Sequence, residues 1–199
     1  MTESHAGPTV LIVCTGNVCR SPYLERRLQQ ELDRSWVPGA VSVRSAGTGA
    51  LIDAGMDPGS LTRLTKLDLD GSDFRSRALD KDILAEASLV ITAERNHRTL
   101  VTRLHPRCLR TTHALRDLAQ LAETVEIPHA PTGVGPTDWF AVVVPLLARQ
   151  RGIAPPLPAE EADVIDPYRR DEAVFDLMER QIEDALPSVV RVLGKPTTG

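Results

Sequence analysis

Residues 9 to 22 read TVLIVCTGNVCRSP, and this stretch decides the fold. Thr9 to Val13 form a short, almost wholly apolar run rich in β-branched residues, which is typical of a strand buried on both faces of a parallel sheet. After the loop, Leu24, Leu28 and Leu32 recur every four residues among polar neighbours. That spacing predicts an amphipathic helix. A strand, a loop and a helix in this order open a βαβ unit.

Residues near both ends of the predicted first helix indicate where it begins and ends. Ser21 is suited to the N-cap position, and Pro22 to the first helical position. Pro38 and Gly39 require the helix to end before them.

The rest of the chain repeats this alternation. Further strands are predicted at Val41 to Ser45, Ser88 to Thr92 and Leu109 to Thr111. Further helices are predicted at Pro58 to Lys66, Asp80 to Glu86, Glu94 to Leu104, His113 to Glu123 and Asp171 to Leu193. We expect Pro187 to kink or divide the last helix. Strands that alternate with helices predict a parallel, doubly wound α/β sheet flanked by helices.

One stretch departs from this rhythm. Between Ile127 and Pro158 there are seven prolines, with one apolar helical piece around Trp139 to Arg149. We interpret this Pro-rich region, within residues 119–162, as an insertion before the C-terminal helix. The expected organisation is a single domain over residues 1–199.

The composition is that of an ordinary globular protein. The 199 residues include 23 Lys and Arg against 27 Asp and Glu, a net charge of −4, and this mild acidity argues against nucleic acid or a membrane as the main partner. The longest apolar stretch, Phe140 to Ala148, is broken by Pro145 and is shorter than the roughly 18 residues of a membrane span. Met1 to Pro8 is polar, with no visible secretory signal. We therefore expect a cytoplasmic protein.

The loop after the first strand is where we expect chemistry. In open α/β sheets, ligands bind at the carboxyl ends of the strands. A loop that enters a helix N-terminus presents free N–H groups and the positive end of the helix dipole, which together attract anions. Gly16 and Asn17 readily adopt the left-handed turns that curl such a loop into a cradle. The predicted phosphate-binding residues are Thr15, Gly16, Asn17, Val18, Cys19, Arg20 and Ser21.

Cys14 is the predicted nucleophile. The amides and Arg20 favour its reactive thiolate form, and the planar guanidinium of Arg20 suits two phosphoryl oxygens at once. A phosphate held above a thiolate predicts in-line attack of sulfur on phosphorus to give a phosphocysteine. This chemistry requires no metal and no cofactor.

Asp166 is the predicted general acid. It stands before Pro167 on a stiffened turn, from which it can protonate the leaving oxygen and then, as a base, activate water. One alternative is structural, with Asp166 as a helix N-cap and Pro167 in the first helical position. Asp163 and Asp171 are neighbouring carboxylates that could take the same role.

The stretch VCTGNVCRSP resembles the active-site signature of the low-molecular-weight protein tyrosine phosphatases, a Cys, five residues, then Arg and Ser. The similarity extends to Ser45 to Thr48, to Ala87 to Thr92 with Asn96 shortly after, and to Asp166 to Tyr168. It covers about residues 9–118 and 163–193 and leaves the Pro-rich region unmatched.

The resemblance implies a four-stranded parallel sheet and metal-independent hydrolysis of phosphomonoesters, usually phosphotyrosine. The expected partner is a phosphotyrosine protein or a small phosphomonoester. The resemblance also implies that Asn17 holds the loop in shape and that Ser21 donates a hydrogen bond to the thiolate. Cys19 matches a second loop cysteine, which can bond reversibly to Cys14 under oxidation.

The substrate pocket departs from the family pattern. Leu51 lies in the segment where the family often has an aromatic residue, and Arg169 follows Tyr168 where many members have a second tyrosine. With Leu51 and Tyr168 as its predicted walls, the pocket is expected to be wider and more basic than in typical members.

Two alternatives remain open at this stage, and a third is disfavoured. An arsenate reductase on the same scaffold would relay electrons through distal cysteines, of which the chain has only Cys108. A non-catalytic phospho-binding or redox-sensing module would use Cys14 and Cys19 as a switch. Zinc binding by these two cysteines and a histidine finds no support in the spacing of the histidines. The oligomeric state is not predicted.

Overall fold

The computed structural model describes residues 7–196 and contains one parallel sheet of four strands in the order β2-β1-β3-β4. The strands are β1 (Thr9–Cys14), β2 (Ser42–Gly47), β3 (Leu89–Thr92) and β4 (Thr112–Ala114). Strand β1 lies in the centre, with Val10 of β1 opposite Val43 of β2 and Leu89 of β3. The predicted parallel α/β sheet with flanking helices is confirmed.

Eight α-helices accompany the sheet within the described residues. They are α1 (Arg20–Ser35), α2 (Pro58–Thr65), α3 (Lys81–Glu86), α4 (Arg95–Leu104), α5 (Leu115–Thr124), α6 (Pro136–Gln150), α7 (Ala159–Ala162) and α8 (Glu172–Leu193). A 3₁₀ turn, Pro106–Arg110, precedes β4. Over residues 7–196, none of the helices combines the length and the apolar character that crossing a membrane requires.

The central strand is buried on both sides, as its sequence predicts. Val10 and Ile12 face the larger core, while Leu11 and Val13 face a smaller core with Leu84 of α3. This follows from the period of two in a strand, which sends alternate side chains to opposite faces.

The Pro-rich region contributes to the larger core through α6. Trp139 is almost fully buried, and its indole N–H donates to the carbonyl oxygen of Val192 at 2.8 Å. Helix α6 therefore packs against the C-terminal helix α8. Its status as an insertion relative to the family remains a prediction.

The predicted fourth strand at Leu109 to Thr111 is wrong. Leu109 belongs to the 3₁₀ turn, and Thr111 N–H donates to Cys108 O at 3.0 Å, which closes that turn. The strand begins three residues later than predicted, at Thr112. Pro106 fits the first position of such a turn because it has no N–H to donate and a fixed φ. Helix α5 consequently starts at Leu115 instead of His113.

The predicted start of α1 is also wrong. The helix begins at Arg20, and Ser21 lies inside its first turn. The Ser21 hydroxyl does not cap the helix, because it lies 2.9 Å from Cys14 Sγ instead. Cys19 occupies the N-cap position and makes no side-chain cap hydrogen bond. The first-turn N–H groups of α1 are thus left available for a ligand.

Pro187 does not divide the last helix, because α8 runs for 22 residues, from Glu172 to Leu193. Pro187 lies on the exposed side, where water can bind the carbonyl oxygen that loses its partner. Leu186 and Val189 on either side are buried in the larger core. We infer that this packing holds the helix together across the proline.

Candidate active site

The loop from Cys14 to Arg20 connects the carboxyl end of β1 to the first turn of α1. Cys14, Asn17 and Arg20 are each at most 2% exposed, whereas Thr15 is exposed and Gly16 half-buried. The loop therefore holds its reactive groups inside a recess that opens at Thr15 and Gly16.

Residues 48–60 donate hydrogen bonds to five carbonyl groups of this loop. The acceptors are Cys14, Thr15, Gly16, Val18 and Cys19, and the donors are the N–H groups of Thr48, Gly49, Leu51 and Asp57 and the hydroxyl of Ser60, at 2.9–3.3 Å. A planar trans peptide directs its C=O and its N–H to opposite sides. Because these carbonyls are bonded outward, the N–H groups of the next residues turn inward.

The inward N–H groups belong to Thr15, Gly16, Asn17, Cys19 and Arg20. They join the uncapped N-terminus of α1, whose dipole adds positive potential at the same place. This arrangement is consistent with the predicted cradle of amide donors, one of which, Asn17 N–H, donates to Cys14 Sγ at 3.3 Å, and phosphate binding at the cradle remains a prediction. A ring of such donors suits a tetrahedral oxyanion.

The sulfur of Cys14 lies at the floor of this ring. Asn17 N–H donates to Cys14 Sγ at 3.3 Å, and Ser21 Oγ lies 2.9 Å from it. The Ser21 oxygen also accepts from Asn17 Nδ2 at 2.8 Å, which leaves its own hydrogen free for the sulfur. Two donors thus converge on Cys14 Sγ.

Asn17 connects the loop to neighbouring segments of the chain through its side chain. Its φ of 54° lies in the left-handed region, which asparagine tolerates better than most residues. Its Nδ2 also donates to Ser45 Oγ at 2.8 Å, and its Oδ1 accepts from Arg77 N–H at 2.9 Å. The loop is thereby tied to the end of β2 and to the residues beyond it, which supports the structural role that the resemblance implied for Asn17.

Arg20 extends from the first turn of α1 towards three acceptors. Its Nη1 pairs with Glu94 Oε1 and donates to Val164 O at 3.1 Å. Its Nη2 pairs with Asp166 Oδ2 at 2.9 Å. These contacts hold the guanidinium beside the ring of amides, 2% exposed, with Asp166 at its outer end.

Asp166 lies at the mouth of the recess. Its Oδ1 accepts from Tyr168 N–H at 3.2 Å, which fixes the turn, and its side chain is 49% exposed. It is not a helix N-cap, because the next helix starts six residues later and is capped by Asp171. Asp163 accepts from Arg95 N–H at 2.8 Å. Both neighbouring carboxylates therefore have other roles, and Asp166 alone of the three pairs with Arg20.

A cavity of about 140 Å³ occupies the recess, and the two predicted wall residues line it. Leu51 and Tyr168 are 42% and 37% exposed at its rim, and the Arg169 guanidinium lies 5.1 Å from the centre of the Tyr168 ring. Asn17 and Ser21 do not line the cavity and lie beneath it. The lining residues are Cys14, Thr15, Gly16, Val18, Cys19, Arg20, Gly49, Leu51, Asp166 and Tyr168.

The second loop cysteine has a different environment from the first. Burial, with a further contribution from Asp57, raises the pKa of Cys19 well above the ordinary value for a thiol. A neutral thiol is a weak nucleophile. Cys19 therefore remains protonated at neutral pH, and its redox partnership with Cys14 remains a prediction.

Two residues at the site, Glu94 and His97, were not predicted from the sequence. Glu94 follows β3 at the same edge of the sheet, so the rule that ligands bind at the carboxyl ends of strands could have found it. His97 Nε2 lies 2.8 Å from Thr15 Oγ1, and its buried Nδ1 has no partner in the described part of the chain. Burial lowers the pKa of His97, so the ring is neutral at pH 7. No sequence pattern marks this contact between residues 82 positions apart.

The described residues contain no group of three or more His, Cys, Asp and Glu side chains arranged to hold a metal ion. The histidine nearest to the loop, His97, contacts Thr15 and not a cysteine.

Gly47 is required for the cradle to form. A Cβ atom built on Gly47 would lie 2.4 Å from Thr15 O and 3.0 Å from Asn17 Cβ, and the first of these is backbone that cannot move without distorting the loop. The loop and the end of β2 therefore fit together only because residue 47 has no side chain.

Gly47→Ala is expected to destabilise the fold by about 1–3 kcal/mol, the usual cost of overpacking, and to weaken phosphate binding because the loop is displaced. Urea unfolding and competition by inorganic phosphate measure the two effects. Gly55→Ala is the matched control, since a Cβ there meets nothing within 4 Å. Equal behaviour of the two variants would show that the loop does not depend on this contact.

Comparison with known proteins places this arrangement in a family. Residues 9–150 match the model of the low molecular weight phosphotyrosine protein phosphatases. The match includes the whole loop and runs through α6.

Individual relatives agree with the family model. A Klebsiella pneumoniae protein named as a low molecular weight protein-tyrosine-phosphatase is 35% identical over 177 residues, which are 89% of this chain and 91% of that protein. Arsenate reductase 1 of Bacillus cereus is 36% identical over 84 residues, 42% of this chain and 57% of the reductase. The crystal structure of the tyrosine phosphatase AmsI of Erwinia amylovora shares the fold, with a TM-score of 0.67, 19% identity and coverage of 98% of this chain and 99% of that one.

The family model spans most of the chain, and the Klebsiella pneumoniae relative matches it almost from end to end. The chain therefore belongs to the low molecular weight phosphotyrosine protein phosphatase family and is a phosphatase.

Proposed function

We propose that this phosphatase hydrolyses phosphotyrosine in protein substrates through a phosphocysteine intermediate. The observation that carries the proposal is the position of Cys14 Sγ, which lies at the floor of a ring of inward N–H groups and accepts from Asn17 N–H and Ser21 Oγ. A sulfur anion below a phosphate site is placed for in-line attack.

In the first step, Cys14 Sγ attacks phosphorus and the bond from phosphorus to the tyrosine oxygen breaks. The amides of the loop and the Arg20 guanidinium stabilise the three equatorial oxygens, where negative charge accumulates. Asp166 gives its proton to the leaving oxygen, so that tyrosine departs neutral. The phosphate takes the place of Asp166 as the partner of Arg20, which frees the carboxyl group for this transfer.

In the second step, the Asp166 carboxylate removes a proton from a water molecule. The water oxygen attacks phosphorus, the bond between phosphorus and sulfur breaks, and Cys14 returns to the thiolate. The products are inorganic phosphate and protonated Asp166, which is ready for the next cycle.

The walls of the cavity favour an aryl phosphate. Leu51 and Tyr168 at the rim offer apolar and aromatic surface to a phenyl ring, while the phosphate lies above Cys14. A phosphoserine side chain is shorter and has no ring to bury there. Burial of a ring contributes about 1.5–3 kcal/mol.

Substrate preference tests the proposal directly. We expect kcat/KM for a phosphotyrosine peptide to exceed that for the same peptide with phosphoserine by about 10- to 100-fold, which corresponds to that burial. The measurement is phosphate release with EDTA present, because no step above uses a metal. Equal rates on the two peptides would contradict the phosphotyrosine preference, and loss of activity in EDTA would contradict the metal-free mechanism.

Arsenate reduction is less well supported. Cys108 faces the smaller core, on the opposite side of the sheet from Cys14, and its thiol lies 3.5 Å from Leu84 O. Transfer of electrons from Cys14 to Cys108 would have to cross the sheet. The similarity to arsenate reductase 1 covers 42% of this chain, against 89% for the Klebsiella pneumoniae relative.

A further inference from the structure

A second cavity, of about 230 Å³, lies at the carboxyl end of β4. The first turns of α4, helix α5 and residues 151–156 of the Pro-rich region surround it. It is several times larger than the roughly 30 Å³ that a water molecule occupies in the liquid. Its lining shares no residue with that of the cavity above Cys14. Its charged and titratable lining residues are Arg95, Arg98, His113, Asp117 and Arg151.

The positive charge in this cavity is not neutralised. Arg95 forms a bidentate pair with Asp117, at 2.6 and 2.8 Å, and Asp117 is the one acidic residue among the described lining residues. Arg98 and Arg151 form no ion pair within residues 7–196. Both bind the carbonyl oxygen of Thr112, at 3.0 and 2.6 Å, and this neutral acceptor leaves two guanidinium charges side by side.

The His113 ring contributes a hydrogen-bond donor to this cavity. Arg151 Nη2 lies 2.8 Å from His113 Nδ1, and since a guanidinium can only donate, Nδ1 must accept. The hydrogen of the neutral ring is therefore on Nε2. That nitrogen is buried and meets no acceptor at hydrogen-bond geometry in the described part of the chain, although the Arg110 backbone interacts with the ring and raises its pKa, and the whole residue is 1% exposed. A buried donor without a partner is costly unless a ligand or water supplies the acceptor.

Burial and mutual repulsion both act on the pKa values of the cavity residues, and Asp117 opposes them at Arg151. Burial, followed by repulsion from Arg98, lowers the pKa of Arg151 to about 10. Burial, followed by repulsion from Arg151 and Arg98, lowers the pKa of His113 to about 3. A bound anion would offset this repulsion and favour the charged forms of Arg151 and His113.

We propose that this cavity is a second anion site, which binds the phosphoryl group of inorganic phosphate or of a small phosphate ester between Arg98, Arg151 and His113. Planar guanidinium groups match the oxygens of a phosphoryl group, and the cavity volume leaves room for a small substituent. Arg151 belongs to the Pro-rich region, so the site would give that region a ligand-binding role. The proposal does not depend on the identity of the phosphatase substrate.

Histidine ring signals in the NMR spectrum of the full chain can test both sites in one titration with inorganic phosphate. We expect the His113 signals to shift and saturate. The His97 ring contacts Thr15 of the catalytic loop and reports occupancy of that loop separately. A saturating His97 response with an unchanged His113 would refute the second site while leaving the proposed catalytic mechanism intact.

Substitution of Arg98 sharpens the test. Arg98→Gln removes one charged hydrogen-bond donor and is expected to weaken the His113 response by about tenfold or more, without changing the His97 response. Arg98→Lys keeps the charge and is expected to retain most of the affinity. Arg103→Gln, on the same helix, is the matched control because Arg103 does not line the cavity. Equal weakening by Arg98→Gln and Arg103→Gln would show that a general surface charge, and not this cavity, binds phosphate.

A second titration distinguishes the two sources of the phosphoryl group. Ethylphosphonate cannot be hydrolysed and has a small organic substituent. Tighter binding of ethylphosphonate than of phosphate at His113 indicates a phosphate ester as the ligand, and equal or weaker binding indicates the free ion. Failure of both anions to produce a saturating shift would overturn the proposal.

Discussion

Cys14→Ser is expected to lower the hydrolysis of p-nitrophenyl phosphate by at least about 10⁴-fold, because the hydroxyl that replaces the thiolate remains protonated. The ring of amides that favours a sulfur anion cannot ionise a serine to a useful extent at neutral pH. The substitution changes one buried atom, so the loop should keep its shape and continue to bind phosphate. Steady-state turnover together with phosphate competition measures these two properties separately.

Cys108→Ser is the matched control for this variant. Cys108 is also buried, at 5% exposed, but faces the smaller core, where its thiol donates to the carbonyl oxygen of Leu84 at 3.5 Å. A serine hydroxyl can donate to the same acceptor, so turnover should be retained. Full activity in Cys14→Ser, or a comparable loss in Cys108→Ser, would remove the basis for a cysteine nucleophile at the floor of the loop.

Asp166→Asn is expected to slow the hydrolysis of a phosphotyrosine peptide by about 10²- to 10⁴-fold, the usual contribution of a general acid. The asparagine oxygen can still accept the hydrogen bond from Tyr168 N–H, so the turn should survive. What is lost is the proton for the leaving oxygen and the ion pair with Arg20. Stopped-flow measurement of the first turnover detects the effect on the chemical step.

The same variant predicts a different behaviour with p-nitrophenyl phosphate. The p-nitrophenolate ion leaves readily without a proton, so formation of the phosphocysteine should be affected little, whereas its hydrolysis still needs the missing base. We therefore expect a burst of p-nitrophenol followed by slow turnover, with the phosphoryl group found on Cys14 by mass spectrometry of peptides.

Asp171→Asn provides the control for Asp166→Asn. Asp171 caps α8 by accepting from Val174 N–H, and asparagine is an equally good N-cap. Activity and stability should both remain close to those of the wild type. If Asp171→Asn lost as much activity as Asp166→Asn, the effect would stem from disturbance of the segment and not from loss of a proton donor.

The location of the site followed from local sequence. The residues predicted to bind phosphate are contiguous, and their backbone conformation depends on neighbours such as Gly16 and Asn17. An apolar strand, a short loop and an amphipathic helix already specify an anion site at a helix N-terminus. The sequence also pointed to Asp166 as an acid candidate, because it is a carboxylate on a rigid turn, and the structure places it beside Arg20 at the same cavity.

The errors in the sequence analysis arose where one group had two possible partners. Ser21 was assigned to the helix cap because serine favours that position, but the sulfur of Cys14 and the amide of Asn17 occupy its hydroxyl. The strand predicted at Leu109 to Thr111 was displaced because Pro106 starts a turn whose length no local pattern gives. In both cases contacts made on folding outweighed local propensity.

Sequence alone determined the alternation of strands and helices, and it predicted a phosphate loop with Cys14 as nucleophile, because each depends on residues that are neighbours in the chain. Tertiary structure alone decided that Glu94 and Asp166 meet on Arg20, that His97 supports Thr15, and that Arg98, Arg151 and His113 surround one cavity. These groups come from distant segments that converge at the carboxyl edge of the parallel sheet. Hydrogen bonds and charges act through space over a few ångströms, so their partners become known only once the chain has folded.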